Sequence, residues 1–380
     1  MPHSPQNDIM YPDYDKCLTN VACTILKQFG LPHHHPSLPV LDKVFAEKEY
    51  KNVILLIYDG MGMNILTQNL AENSFLRRHL VDTISSIFPT TTAAATTSLR
   101  SGLNPCENGW VGWDVYIKAV DEIITVFRNQ KKGSDTPFSA ENTAEKYLGY
   151  RSLVTQINQD TLHDAVELFP FGDDPYHGLD DFNQRIIDLC ARDGRQFIHA
   201  YHTNPDGMLH DYGTTHDVIR PMMQEIDRST EALIANLRDT LVICLADHGH
   251  LDVEEIVLTR DYPDMVSLFA RDNTAIDGRA CAFWIDEANK PLFEKKFAEY
   301  FGHDFMLLTK QQVIDKKLFG NNIGHGIATH GNFDDSLGDY IAVGIGNKYF
   351  QFEDGKHRMW SHHAGITRNE MSVPLIIFKT

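Results

Sequence analysis

Five short stretches of this sequence carry side chains able to do chemistry. "LLIYDGMG" places Asp59 at the end of an apolar run, and "FPTTTAAATTSLRSG" (88–102) crowds hydroxyls around three alanines. "NPDGMLH" holds Asp206 and His210, "CLADHGH" holds Asp247 and His248, and "HHAGITRNEMSVPLIIF" opens with His362 and His363. Carboxylate and imidazole together are a donor set for zinc first, with manganese or iron as alternatives. Asp206 and His210 are four residues apart, so one helical turn can offer both to one ion. Asp247 and His248 are adjacent and can share an ion only if the backbone turns sharply, which Gly249 permits. The arithmetic suits two metals with about three protein side chains each and a shared nucleophile region. A cap needs one or two hydroxyls. Three consecutive threonines after Pro89 are therefore in excess, and one of them can be held at a helix N-terminus to act on an anion.

These groups need a scaffold that brings strand ends together. "KNVILLIYDGMG" (51–62) reads as a buried parallel strand with Asp59 at its carboxyl end. "RSLVTQI" (151–157), "RQFIHAYH" (195–202), "TLVICLADHGH" (240–250), "YIAVGIG" (340–346) and "VPLIIF" (373–378) read as further strands. Helices are expected over 17–30, ended by Gly30, over about 63–79, and over 216–238, where Ile219, Met222, Met223, Ile226, Leu233 and Leu237 recur at helical spacing. Strand, long helix, strand gives an α/β fold with a mainly parallel central sheet flanked by helices, and its ligands gather beyond the carboxyl ends of the strands. The expected division is an N-terminal helical extension (1–50), a core (51–266 and 326–380) and a small α+β cap insertion (267–325). An excursion over the active edge is expected at 106–150.

Charge and composition narrow the partners. The 380 residues carry 52 acidic against 34 basic groups, a net charge of −18, which disfavours extended nucleic acid. A small anionic substrate stays open, because bound metal reverses the sign locally. No apolar run reaches bilayer-spanning length. The start has no basic-then-apolar leader pattern, and the six cysteines are scattered without zinc-ligand spacing; a cytoplasmic protein is the expectation. His33, His34 and His35 lie among prolines and read as a surface connection. His325 and His330, in "GHGIATHG", read as loop packing or as partners of a metal ligand.

The five stretches, in this order, resemble the alkaline phosphatase superfamily, and within it the nucleotide pyrophosphatase/phosphodiesterase branch. The resemblance runs from about residue 51 to 378. It implies an alkaline phosphatase-like core with inserted cap segments. It also implies two divalent ions, one held by Asp59, Asp247, His248 and the hydroxyl of Thr92, the other by Asp206, His210 and His363. His363 matches the last ligand, with Ala364-Gly365 where many relatives have Gly-Gly, and His362 is the second choice. Thr92 matches the nucleophile of the "PTxT" form. The implied reaction is hydrolysis of phosphoric diester or pyrophosphate bonds through a phosphothreonine, on a small phosphate ester or nucleotide. Two positions depart from the pattern or bear on it. Trp113 stands where such diesterases often carry a phosphoryl-binding asparagine. Ala93 follows the nucleophile where monoesterases place an arginine, so the bidentate clamp for a doubly charged phosphate is missing. Trp110, Trp113 and Tyr116 are candidates for stacking on a nucleobase or aryl group. The alternatives are a phosphomonoesterase, phosphonate hydrolase or sulfatase-like enzyme, and a catalytically silent metal-dependent binding protein.

Overall fold

The computed structural model describes residues 8–320, 326–355 and 357–380; His325 lies outside them. The central sheet has six strands, in the order Leu80–Ser85, Ser372–Lys379, Thr240–Leu245, Asn52–Tyr58, Gln196–His202, Asp164–Leu168. Four adjacent strands are parallel, and Ser372–Lys379 runs antiparallel between its two neighbours. Every residue of Asn52–Tyr58, Gln196–His202 and Thr240–Leu245 is buried. The near-continuous apolar runs of Asn52–Tyr58 and Thr240–Leu245 are what a sheet covered on both faces requires, while Gln196–His202 buries Gln196, His199 and His202 among its apolar residues; each fully buried Leu or Ile contributes roughly 1.5–3 kcal/mol.

Register sets the site. Asn52 pairs with both Gln196 and Thr240, and Ile57 with Tyr201 and Leu245. The three strands therefore finish level, and the residues that follow them, Asp59, Asp206 and Asp247, emerge at one edge. Leu18–Gln28 packs on the small-residue helix Thr92–Ser101, and Gly178–Ala191 packs on Ile219–Asn236. Among the described residues, no helix is long and apolar enough to cross a membrane. All six cysteines are buried and unpaired.

Several expectations change. Residues 151–157 are not a strand: Leu153–Asp160 is a helix, capped by the Ser152 side chain accepting from the Thr155 amide. The stretch 63–79 breaks into Met63–Asn69 and Phe75–Arg78. The two interruptions of the α/β rhythm share one seven-stranded antiparallel sheet. Phe305–Thr309, Tyr340–Gly344, Ala280–Phe283 and Ala275–Ile276 continue through Asp114–Ile117 into Glu122–Thr125 and Gln130–Lys131. The strand at 340–344, grouped by sequence with the core, sits inside this second sheet. Phe293, Phe297 and Phe301 recur every four residues on Lys290–Phe301 and bury one helical face with Phe283, Phe305 and Phe350.

Candidate active site

Asp59 follows the central strand and is buried, one carboxylate oxygen accepting from the Tyr201 hydroxyl. Asp247 is fully buried, and its Oδ1 accepts from the Gly60 and His248 amides, each at 3.0 Å. The sharp turn expected at Gly249 is present, because His248 Nε2 returns to 3.5 Å from Asp247 Oδ2 and 3.4 Å from Asp59 Oδ1. Close backbone contact makes this possible. A Cβ on Gly62 would sit well inside van der Waals contact with the Gly249 Cα.

The three consecutive threonines have three destinations. Thr90 Oγ1 donates to the Gly365 carbonyl and accepts from the Ala364 amide, both at 2.9 Å, which ties down the loop carrying His363. Thr91 Oγ1 donates to Asp277 Oδ2 at 2.7 Å, reaching the second sheet. Thr92, the first residue of its helix, places Oγ1 3.2 Å from His248 Nε2. The excess of hydroxyls is thus a division of labour, and the hydroxyl of Thr92 faces the carboxylate–histidine cluster.

Asp206 and His210 share the first turn and a half of Asp206–Tyr212, with His210 Nε2 3.3 Å from Asp206 Oδ1. His363 Nε2 lies 3.2 Å from His210 Nε2 and 3.5 Å from Asp206 Oδ1. The Asp59 and Asp206 clusters meet at the stacked rings of His248 and His363, whose centroids are 3.7 Å apart.

The donor chemistry fits cations. His210 Nδ1 faces the Ser361 carbonyl at 2.8 Å, His363 Nδ1 the Thr90 carbonyl at 2.8 Å, and His248 Nδ1 the Gly249 carbonyl at 3.3 Å. Carbonyls only accept, so each neutral ring carries its proton on Nδ1 and offers a lone pair at Nε2. The Nε2 atoms of His210 and His363 then face each other with nothing to share. Asp59 Oδ1 and Asp247 Oδ2 are buried and accept no hydrogen bond, a costly arrangement unless a positive charge sits beside them. Burial, then the charges of Asp206 and Asp247, push the Asp59 carboxyl well above its usual range. Asp206 is held well below its own range despite burial, by His210 and then His250. Two groups can each converge on one ion: Asp59, Asp247 and His248, and Asp206, His248, His250 and His363. His250 was not singled out from sequence. The signal for it is the "HGH" spacing, in which one glycine returns the chain to the same place.

A cavity of about 600 Å3 opens from Asp59, Thr92 and Asp206. Its walls include Trp110, Trp113, Phe127, Phe169, Phe171 and Tyr201. Trp110 both lines it and anchors the 106–150 segment, its indole N–H donating to the Leu148 carbonyl at 2.9 Å. Tyr116 is not among the lining residues and does not take the stacking place expected of it. Its hydroxyl donates to Asp121 at 2.7 Å, and its ring packs on Trp284 under Arg271. His362 is buried beside Asp277, with Nε2 3.6 Å from Asp277 Oδ1, and is not among the converging donors. His330 packs on Gly109 and accepts the Asn332 amide at Nδ1, a loop contact. His35 is buried against Glu107 at 2.8 Å, not exposed on a surface connection.

Residues 53–357 match the model of the type I phosphodiesterase/nucleotide pyrophosphatase family. The chain belongs to that family. Membership of this phosphodiesterase family places the fold in the alkaline phosphatase superfamily, as its motifs imply. The fold is similar to that of murine ectonucleotide pyrophosphatase/phosphodiesterase 5, solved as an inactive threonine-to-alanine variant in complex with AMP. That likeness has a TM-score of 0.64 and 15% identity over 85% of this chain and 87% of that one. The human counterpart gives a TM-score of 0.64 and 14% identity over 86% and 87%. No curated protein matches the sequence significantly.

Proposed function

We propose that this phosphodiesterase-family chain hydrolyses phosphoric diester or pyrophosphate bonds of a small nucleotide-like ester through a phosphothreonine at Thr92. The observation that carries this reading is the position of Thr92 Oγ1. It lies 3.2 Å from a histidine lone pair, at a helix N-terminus, on the wall of the aromatic cavity. Asp59, Asp247 and His248, with Thr92, would hold one divalent ion, and Asp206, His210 and His363 the other. Imidazole and carboxylate donors favour zinc, then manganese or iron. When bound, such a pair acidifies a hydroxyl and offsets the charge that builds on phosphoryl oxygens.

The chain's own residues supply the rest. Thr92 Oγ, having lost its proton, attacks phosphorus, and the bond from phosphorus to the leaving oxygen breaks. Thr91 and Thr90 fix the turn on both sides, so the attacking oxygen is oriented before substrate arrives. The first amides of Thr92–Ser101 point at the forming anion. Water then attacks the phosphothreonine and restores the hydroxyl. Ala93 leaves room beside the nucleophile where a monoester clamp would stand, which favours diesters over monoesters. The rings of Trp110, Phe127, Phe169 and Phe171 suit a planar substituent, and the AMP bound by the murine relative supports a nucleotide.

The test is a substrate panel on protein of measured metal content: an aryl phosphodiester, a dinucleotide pyrophosphate, an aryl monoester, a phosphonate and a sulfate. The diester and pyrophosphate should turn over fastest. Preference for the monoester or sulfate would reject the reading, and turnover of none would make the chain a metal-dependent binding protein.

A further inference from the structure

Trp113 lines two cavities: the aromatic one that opens from Asp59, Thr92 and Asp206, and a second of about 410 Å3. The second comes within one residue of the reactive groups at two points. Asp277 in its wall accepts the Thr91 hydroxyl at 2.7 Å, and Thr91 precedes Thr92. His362, also in its wall, precedes His363, and its ring centroid lies 5.3 Å from that of His210. A phosphoric diester carries two substituents on one phosphorus. The reaction described above uses one cavity and leaves this one without a role.

Its lining differs in kind from the aromatic cavity. Lys132 is spent inside the wall, its Nζ 3.0 Å from Asp114 Oδ2 and donating to the Thr274 carbonyl at 3.0 Å. His357 is engaged by Asp211 at 3.0 Å. Arg128, Asp135, Gln351 and Glu353 line the cavity, are exposed or half-buried, and make no side-chain hydrogen bond or ion pair with another described residue. One unpaired guanidinium therefore stands against the carboxylates of Asp135, Glu353 and Asp277. An anionic tail would meet net negative charge, and an organic cation would meet the Arg128 guanidinium. A hydroxyl both donates and accepts, so it suits carboxylate, amide and guanidinium alike. Trp113 and Phe352 supply faces for the carbon chain that carries such hydroxyls.

We propose that the second cavity holds the other arm of the diester, and that this arm is an uncharged, hydroxyl-bearing group such as a glyceryl or sugar residue. This rests on the diester reading above and names its second substituent. Trp113 then sorts the two arms, the planar one into the aromatic cavity and the hydroxylated one into its neighbour. Of the two bond types read above, the lining favours the diester, because a pyrophosphate brings a further negative charge towards Asp135 and Glu353.

The test uses adenosine 5′-phosphate esterified to glycerol, to 1-propanol, to glycerol 3-phosphate and to choline. Binding is read by calorimetry on metal-loaded Thr92→Ala protein, so that affinity is measured without turnover. The glyceryl ester should bind about 10-fold tighter than the propyl ester, the scale of one or two added hydrogen bonds. It should also bind tighter than the phosphate-bearing and choline esters. Adding Gln351→Leu with Glu353→Leu should bring the glyceryl-to-propyl ratio to about 1. Equal affinity for the glyceryl and propyl esters would overturn the proposal. So would a ratio that the double variant leaves unmoved, or tightest binding by the phosphate-bearing or choline ester. Turnover is measured separately on the wild-type chain. Failure to cleave any of the four esters, with the glyceryl preference in binding intact, would sink the hydrolase reading and leave the second-arm site standing.

Discussion

Asp277 reaches from the second sheet to accept the Thr91 hydroxyl at 2.7 Å, one residue before Thr92. The bond joins two parts of the chain that sequence places far apart, and it clamps the residue from which the Thr92–Ser101 helix starts. The second sheet is thus a support for the turn that carries the proposed nucleophile, Thr92, as well as a cover.

That carboxylate has a pH signature. Burial pushes the Asp277 carboxyl up from 3.8 to about 6. Between those values the folded chain keeps a proton that the unfolded chain has released. The contribution is complete below about 3.8 and is lost as pH rises through about 6, a swing on the order of 1–3 kcal/mol. Asp277→Asn should flatten this part of the stability curve, which denaturant unfolding of wild type and variant at equal metal content between pH 4 and 6.5 (roughly the window set by linkage) will read.

Thr92→Ala should lower kcat by at least about 1,000-fold with little change in melting temperature. Thr92→Ser should keep part of the activity, having lost only the methyl that restricts its rotamer. Thr91→Ala should lose about tenfold, the scale of one positioning hydrogen bond. Steady-state turnover with metal content measured in each variant decides it. An inactive Thr91→Ala beside an active Thr92→Ala would move the nucleophile by one residue.

Removing metal should cost stability, because Asp59 and Asp247 would be left as buried oxygens with no partner. Chelated protein should melt lower than the loaded form and recover on adding zinc, by an amount that grows with free zinc as mass action requires. Elemental analysis after dialysis should find about two ions per chain.

Arg279 and Glu370 form a fully buried bidentate pair at 2.7 and 3.0 Å. Glu370 also accepts the Gly365 amide at 2.6 Å, and its carbonyl accepts the Gly249 amide at 2.9 Å. Arg279→Met should cost about 3–5 kcal/mol, the penalty for leaving one buried charge unpaired. Chemical denaturation measures it, and a loss under about 1 kcal/mol would contradict the burial argument.

Trp113 lines the aromatic cavity and also a neighbouring one of about 410 Å3 that includes Asp277 and His362. Trp113→Ala should open the two into each other. KM for an aryl diester should rise about 10-fold or more, with a smaller change in kcat, as for loss of one stacking wall.

The central α/β sheet and the carboxylates at its strand ends were legible in the sequence, and the second sheet was not. Asp59 and Asp247 stand out because a buried parallel strand is a continuous apolar run, and its first polar residue marks the carboxyl edge. Asp206 and His210 stand out by helical spacing. His250 did not, because a second histidine two residues after a paired one carries no periodic signal of its own. Residues 151–157 were misread because Leu153, Val154 and Ile157 look like strand residues until Ser152 is recognised as a cap. The second sheet was hidden for another reason. Ile276 pairs with Asp114 across 162 residues of sequence, and no local pattern encodes such antiparallel pairing. Tyr116 shows the same limit: an aromatic beside a tryptophan-rich motif says nothing of which way the strand Asp114–Ile117 turns it.

Phe169 and Phe171 follow Asp164–Leu168, one of the two edge strands of the central sheet, while Asp59 and Asp247 follow two of its inner strands. Part of the cavity wall is therefore anchored at the margin of the sheet, and the carboxylate donors at its centre. A lineage carrying this fold can lengthen, shorten or recolour that marginal loop and acquire a new diet, while the carboxylate–histidine cluster is inherited intact.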